Sequence, residues 1–135
     1  MQTSNNSQVK RPFPVNFDFQ IGEFDIADSA ISAERMFADD VLVFEGHFPQ
    51  NKILPGVMMI EYVLFLGETY LREKQMKNIL TEILSARFLS PVTPGMKVNC
   101  HCEFAEKKGQ LLMKATLSYA ETIFARIKVS YGSAV

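Results

Sequence analysis

The sequence is poor in the features that usually decide a protein's class. Its 135 residues include no tryptophan, two cysteines and two histidines, and 14 basic residues stand against 15 acidic ones, a formal charge of −1. Two cysteines make no disulfide scaffold, and no second Cys/His cluster exists to complete a four-ligand metal site. The charge balance lacks the basic excess that bulk binding of nucleic acid or an anionic membrane needs. The longest apolar run, Val57 to Ile60 and then Tyr62 to Leu66, is too short to span a membrane and is broken by Glu61. Met1 to Gln8 contains no apolar stretch of the kind found in a secretory leader. A reducing, cytoplasmic setting is therefore expected. No Gly-x-Ser-x-Gly elbow, P-loop or dinucleotide fingerprint is present, so catalytic-serine and nucleotide chemistry find no support.

What remains suits one domain. A chain of this length buries roughly 68% of its unfolded surface, and 47% hydrophobic residues suffice for a core. Residues 1–11 are mostly polar and are expected to form a disordered tail, with a single domain over 12–135. Val15, Phe17, Phe19 and Ile21 alternate with polar residues as in a strand, and Ala30 to Phe37 reads as another whose apolar face is interrupted by Arg35. Phe44 to Pro55 has no regular period and holds Gly46, Pro49 and Pro55, so a loop is expected there. Gly56 to Met76 is the one long helix; its first half is apolar all round, as in a helix buried on every side, and Asn78 is a candidate left-handed stop. Strands follow over Ile79 to Leu89, Lys97 to Phe104, Leu111 to Tyr119 and Ile123 to Tyr131, divided by Pro91-Val92-Thr93-Pro94-Gly95 and by Lys107-Lys108-Gly109-Gln110. Hairpin connections make the sheet antiparallel. The fold class is α+β, one long apolar helix against a curved antiparallel sheet.

With two histidines, each can be weighed. His101 lies on the polar face of a strand, opposite Cys100 and Cys102, and reads as a surface residue beside two small core residues. His47 sits in Gly46-His47-Phe48-Pro49, where apolar neighbours would favour a neutral imidazole; it fits either a core histidine satisfied by its surroundings or a general base. Glu61 lies in the second turn of the apolar helix, where burial would favour the protonated acid. A salt bridge would need a cation from elsewhere, because the helix's first four turns contain none. A neutral imidazole and a protonated carboxyl would form a matched base and acid. Gly56, after Pro55, opens the helix, and its N–H is either a site for developing negative charge or simply part of a turn.

Together, Gly46-His47-Phe48-Pro49 and Leu54-Pro55-Gly56-Val57-Met58-Met59-Ile60-Glu61 resemble the signature of the 3-hydroxyacyl-acyl-carrier-protein dehydratases (FabZ/FabA type) of bacterial fatty-acid synthesis. Ala86-Arg87-Phe88 and the Pro91–Gly95 turn resemble the family's segment after the central helix. The resemblance runs from about Asp40 to about Val98. It implies a hotdog fold, with the sheet wrapped around the helix, assembled as a homodimer or a trimer of dimers with the active tunnel between subunits. It implies dehydration of (3R)-3-hydroxyacyl thioesters to trans-2-enoyl thioesters. His47 would take the α-proton, Glu61 of the other subunit would protonate the leaving hydroxyl, and the Gly56 N–H would bind the thioester carbonyl. Phe48, Pro55, Val57, Leu64, Phe65 and Phe88 would line the tunnel. No metal or redox cofactor is implied. The acyl group would arrive on the phosphopantetheine arm of an acidic acyl carrier protein, for which Arg87, Lys97, Arg126 and Lys128 are candidate contacts; solvated strand faces account for the same residues. The chain departs from the family where Ala, any residue, Ala, Gln commonly follow the carboxylate: here Tyr62, Val63, Leu64 and Phe65 stand. That leaves a specialised polyene or polyketide lipid pathway as credible as housekeeping synthesis. A hotdog thioesterase and a non-catalytic acyl-binding partner subunit are the alternatives.

Overall fold

The computed structural model describes residues 8–10, 18–20, 23–37 and 53–133. Strands β1 (Gln8–Lys10) and β2 (Asp18–Gln20) pair antiparallel in a small ladder of their own. Gln8–Lys10 lies inside the stretch whose composition suggests a tail. It is paired nonetheless, because backbone hydrogen bonds need no apolar side chains.

The main sheet holds β3 (Phe24–Ile26), β4 (Ala30–Met36), β5 (Ile79–Phe88), β6 (Lys97–Lys107), β7 (Gln110–Tyr119) and β8 (Thr122–Gly132), in the order β3-β4-β6-β7-β8-β5 and antiparallel throughout. Two-residue turns fix β6–β7–β8. Lys108 and Gly109 both have positive φ, 55° and 79°, as a primed hairpin turn requires. Alternation does the rest. Val98, Cys100, Cys102 and Phe104, then Leu111, Met113, Ala115 and Leu117, then Ala125, Ile127, Val129 and Tyr131 point inward and are buried. Helix α1 (Gly56–Glu73) lies against that inner face. This is the hotdog arrangement, one helix held in a curved sheet.

Close approach sets the helix position. A Cβ on Gly67 would collide with the Tyr131 hydroxyl and come within 3.0 Å of the Met113 sulfur, so only glycine lets α1 settle here. Farther along, the Tyr70 ring stacks on Phe104 with centroids 3.8 Å apart, and its hydroxyl donates to the Asp28 carbonyl at 2.8 Å. The helix ends earlier than Asn78. Gln75, not Asn78, takes the left-handed conformation at φ 58°. The Gln75 N–H bonds to the Arg72 carbonyl and the Met76 N–H to the Leu71 carbonyl, a Schellman closure that Met76 completes by packing on the core. No described helix is long and apolar enough to cross a membrane.

Candidate active site

The site is built at the first two turns of α1. The chain enters through Ile53–Pro55, pinned by the Leu54 N–H donating to the Val92 carbonyl at 2.8 Å. Pro55 is the N-cap in extended conformation and makes no side-chain cap; the first turn holds no acidic residue. The positive end of the helix is thus left without a carboxylate of its own at Gly56. An apolar groove of about 350 Å³ opens beside it, lined by Leu54, Gly56, Met59, Phe88, Leu89 and Pro91 among others. The Phe88 ring lies so close over Gly56 that a Cβ there would sit 2.8 Å from the ring tip. Glycine therefore lets a ring cover the helix terminus, and Phe88 remains 46% exposed on its far side.

Glu61 follows one and a half turns later and is buried, 4% exposed. It is one of three buried polar residues of the described chain, with Thr69 and Ser130. The Thr69 hydroxyl donates to the Phe65 carbonyl, and the Ser130 hydroxyl meets the Gln110 side chain. Tyr62, next to Glu61, is buried edge-on against Phe37 with centroids 6.1 Å apart. Burial pushes its phenol well above the ordinary range, and the nearby Cys100 adds to this, while Arg35 opposes it. The Arg35 guanidinium, 5.0 Å over the Phe37 ring, is itself lowered by burial. The interruption in β4 is thus a cation set over the Phe37 ring.

The structure brings Gly56 and Phe88 together at the groove, buries Glu61 farther along the same helix and outside the groove's lining, and separates the other tunnel candidates. Pro55 caps the helix beside the groove. Val57, 46% exposed, and the partly buried Ile60 and Leu64 form the stripe of α1 that the sheet leaves uncovered. Phe65 is sealed in the subunit core and does not reach the groove. His47 and Phe48 lie outside the described residues. Sequence reasoning missed Met59 as a groove wall, because a methionine in an apolar helix carries no sign of which face it will occupy.

Of the candidate carrier contacts, Arg87, Arg126 and Lys128 share one concavity on the outer face of the sheet. Lys97 does not join them; it lies at the far end of β6, 3.7 Å from Glu34. Lys114 takes its place, and sequence reasoning missed it. His101 is half-exposed, as its strand face predicts, and the cysteines are fully buried free thiols on the other face. The hydrogen bond shared with Cys102, and then burial, raise the Cys100 thiol, which keeps it protonated and inert. Among the described residues, no group of three or more His, Cys, Asp or Glu could hold a metal ion.

By sequence the chain is similar to dehydratases, while the solved structures that share its fold include thioesterases as well. Residues 24–126 match the family model described as ApeI-like, ApeI dehydratase. A 3-hydroxyacyl-[acyl-carrier-protein] dehydratase FabZ from Sinorhizobium fredii is 30% identical over 117 residues, covering 81% of this chain and 75% of that protein. The corresponding FabZ from Petrotoga mobilis is 25% identical over 134 residues, covering 95% of this chain and 96% of its own length. Among solved structures, the dehydratase heterocomplex ApeI:P from Xenorhabdus doucetiae superposes with a TM-score of 0.64 at 24% identity, covering 78% of this chain and 89% of that one. At that identity the superposition speaks for the fold alone.

Proposed function

The chain belongs to the ApeI-like dehydratase family, and on that premise we propose that it removes water from (3R)-3-hydroxyacyl groups held as thioesters on acyl carrier protein, giving trans-2-enoyl thioesters. The observation that carries this reading is Glu61, an ionisable group buried in an apolar helix about one and a half turns from an N-terminus that has no side-chain cap at Pro55 and no acidic residue in its first turn. Burial of a carboxyl is costly unless it is neutral or partnered, and the neutral form carries the proton that a departing hydroxyl needs. The thioester carbonyl lies at Gly56, whose N–H belongs to the turn that a helix leaves without internal acceptors; negative charge developing on the carbonyl oxygen is stabilised there. His47 removes the α-proton, Glu61 delivers a proton to the C3 hydroxyl, and water leaves. Phe88 covers the carbonyl site and keeps bulk water from the thioester. The step calls on no metal or redox cofactor. The pathway is fatty-acid synthesis or a specialised polyene or polyketide branch, in the cytoplasm.

The active unit in this reading is a homodimer, alone or as a trimer of dimers. Its support is the edge of the sheet at β5, which has no second partner strand among the described residues and where Ile79 (55% exposed), Leu80, Ile83, Leu84 and Phe88 are exposed. Long apolar edges of this kind invite another strand. Pairing there would also cover Val57 and Leu64 and bring a second subunit to Glu61. A related but different dehydratase chain would satisfy the same edge, as in a heterocomplex. If the purified protein alone stays monomeric and gains activity only with a second chain, that version replaces the homodimer.

The test is a product assay. The protein is given a 3-hydroxyacyl thioester while enoyl absorbance and thiol release are followed together. Enoyl product without free thiol supports dehydration; thiol release in step with substrate loss makes the protein a thioesterase. Substrate bound tightly but unchanged makes it an acyl-binding subunit.

A further inference from the structure

The edge strand β5 carries charge as well as apolar side chains, and its two charges are placed unevenly. Ladder partners share a face, so the register with β8 sorts the strand. Glu82 stands opposite Ser130, Ser85 opposite Lys128 and Arg87 opposite Arg126, all on the outer face. Leu80, Ile83, Ala86 and Phe88 stand opposite Tyr131, Val129, Ile127 and Ala125 on the inner face. Glu82 and Arg87 are an odd number of residues apart, and an unbroken strand would send them to opposite faces. The register shift between Ile83 and Ser85 inserts Leu84 as an extra residue and returns both to one face.

Neither charge is satisfied within the subunit. Arg87 faces another cation, Arg126, and like charges opposite one another weaken a ladder. Glu82 faces a hydroxyl residue. Among the described residues neither makes an ion pair. On its other side β5 has no partner strand among the described residues.

A second copy supplies what each charge lacks. Antiparallel strands of identical chains meet about a two-fold axis, so that where residue i faces j, j also faces i. With the axis between Leu84 and Ser85, Glu82 of each copy lies opposite Arg87 of the other. The same register sets Ile83 opposite Ala86, inner face to inner face. Centring the axis on Glu82 or on Arg87 would instead set like charge on like. Charges on an edge strand ordinarily keep other strands away. Opposite charges placed symmetrically about one point admit a strand with the same spacing and leave any other strand's approach with two unpaired ions. Arg87 directly precedes Phe88, whose ring covers Gly56, so this pairing also fixes where the second subunit stands relative to the groove.

We propose that β5 pairs with β5 of a second copy in this register, with two Glu82–Arg87 ion pairs flanking the axis, and that these pairs make the edge select its own copy over another chain of the same fold. This rests on the homodimer reading above, to which it adds the residues that choose the partner, and it requires no particular substrate.

The test is a charge exchange in the full chain, read by analytical ultracentrifugation at low salt, with circular dichroism to check the fold. The variants are Glu82→Arg, Arg87→Glu and the two combined. Each single variant sets like charge on like at both contacts of its homodimer, and its dimer Kd should rise roughly tenfold or more. Within its own subunit Arg87→Glu removes the opposition to Arg126, so weaker pairing there cannot be put down to a weaker fold. The combined variant exchanges the charges without changing the register and should return to within about threefold of wild type. An equal mixture of the two single variants is the sharper case. Both contacts of the mixed dimer join opposite charges, so the mixture should dimerise where neither variant pairs with itself, and added salt should shrink every one of these differences. Single variants that dimerise like wild type, or a mixture no tighter than its components, overturn the proposal while leaving a homodimer in place. Wild type that stays monomeric at every concentration overturns the homodimer reading and the proposal together. Failure of the dehydratase reading is a different result: the charge exchange behaves as described, and no dimer yields enoyl product.

Discussion

The strands β6, β7 and β8 present two faces built on one ladder, and the two faces obey opposite rules. Inward, each side chain improves the fold: Val98, Cys100, Met113, Leu117, Ala125 and Val129 are fully buried against α1. Outward, Arg126 stands opposite Arg87 on β5 and Lys128 opposite Lys114 on β7, like-charge pairs of the kind that weaken a ladder. The contrast teaches where to look for function. A residue that costs the fold something, held where a harmless one would serve, is retained for another reason. On the inner side Glu61 stands apart: it is the one carboxylate buried in the described core, on a helix whose other buried side chains are mostly apolar.

The contrast can be broken by substitution. The largest stability effect belongs to the inner face. Leu117→Ala empties a fully buried site, and urea unfolding should show a loss of about 2–5 kcal/mol. Gly67→Ala drives a methyl into Tyr131 and Met113, and a loss of about 1–3 kcal/mol is expected in the same assay. Tyr62 gives a pH signature. Its phenol titrates higher in the folded chain than the usual value of 10, so its contribution is intact below about pH 10 and lost as pH rises above that. Stability of the wild type should fall in alkali, and Tyr62→Phe should flatten that limb in melts between pH 8 and 11. The smallest effect has the opposite sign. Arg126→Gln removes a like-charge opposition and should raise stability by about 0.2–1 kcal/mol at low salt, less at high salt. If it destabilises instead, the two faces do not differ as described.

The inner face was legible in the sequence because alternation with a period of two needs no knowledge of neighbours. Val98 through Phe104 and Leu111 through Leu117 fall as their pattern demands. The outer cluster was only partly legible, because it depends on register. The turn at Ala120–Glu121 would set Lys114 against Ile127, but a bulge at Phe124 advances β8 by one residue and brings Lys128 there instead. A bulge has no fixed sequence mark, so Lys114 was missed, while Lys97, a plausible cation by composition, lies at the wrong end of its strand. The helix start was legible from Pro55-Gly56, its end less so, because a left-handed Gln75 is stabilised by the Schellman hydrogen bonds and the packing of Met76 rather than by its own preference. Glu61 stood out as a lone carboxyl in an apolar run, and its burial follows from the helix packing. Phe65 shares that helix, but helical spacing alone did not reveal that its ring turns into the core rather than the groove. His47 was singled out by its motif and lies outside the described residues.

The central claim is that a buried carboxyl on α1 donates the proton that carries water away. Enoyl absorbance from a 3-hydroxyacyl thioester, compared between wild type and Glu61→Gln at equal fold content by circular dichroism, tests it most directly. A fall in kcat on the order of 10²–10⁴ is predicted, since the amide fills the same space without an acidic proton. Dehydration at the wild-type rate by the folded variant would contradict the account.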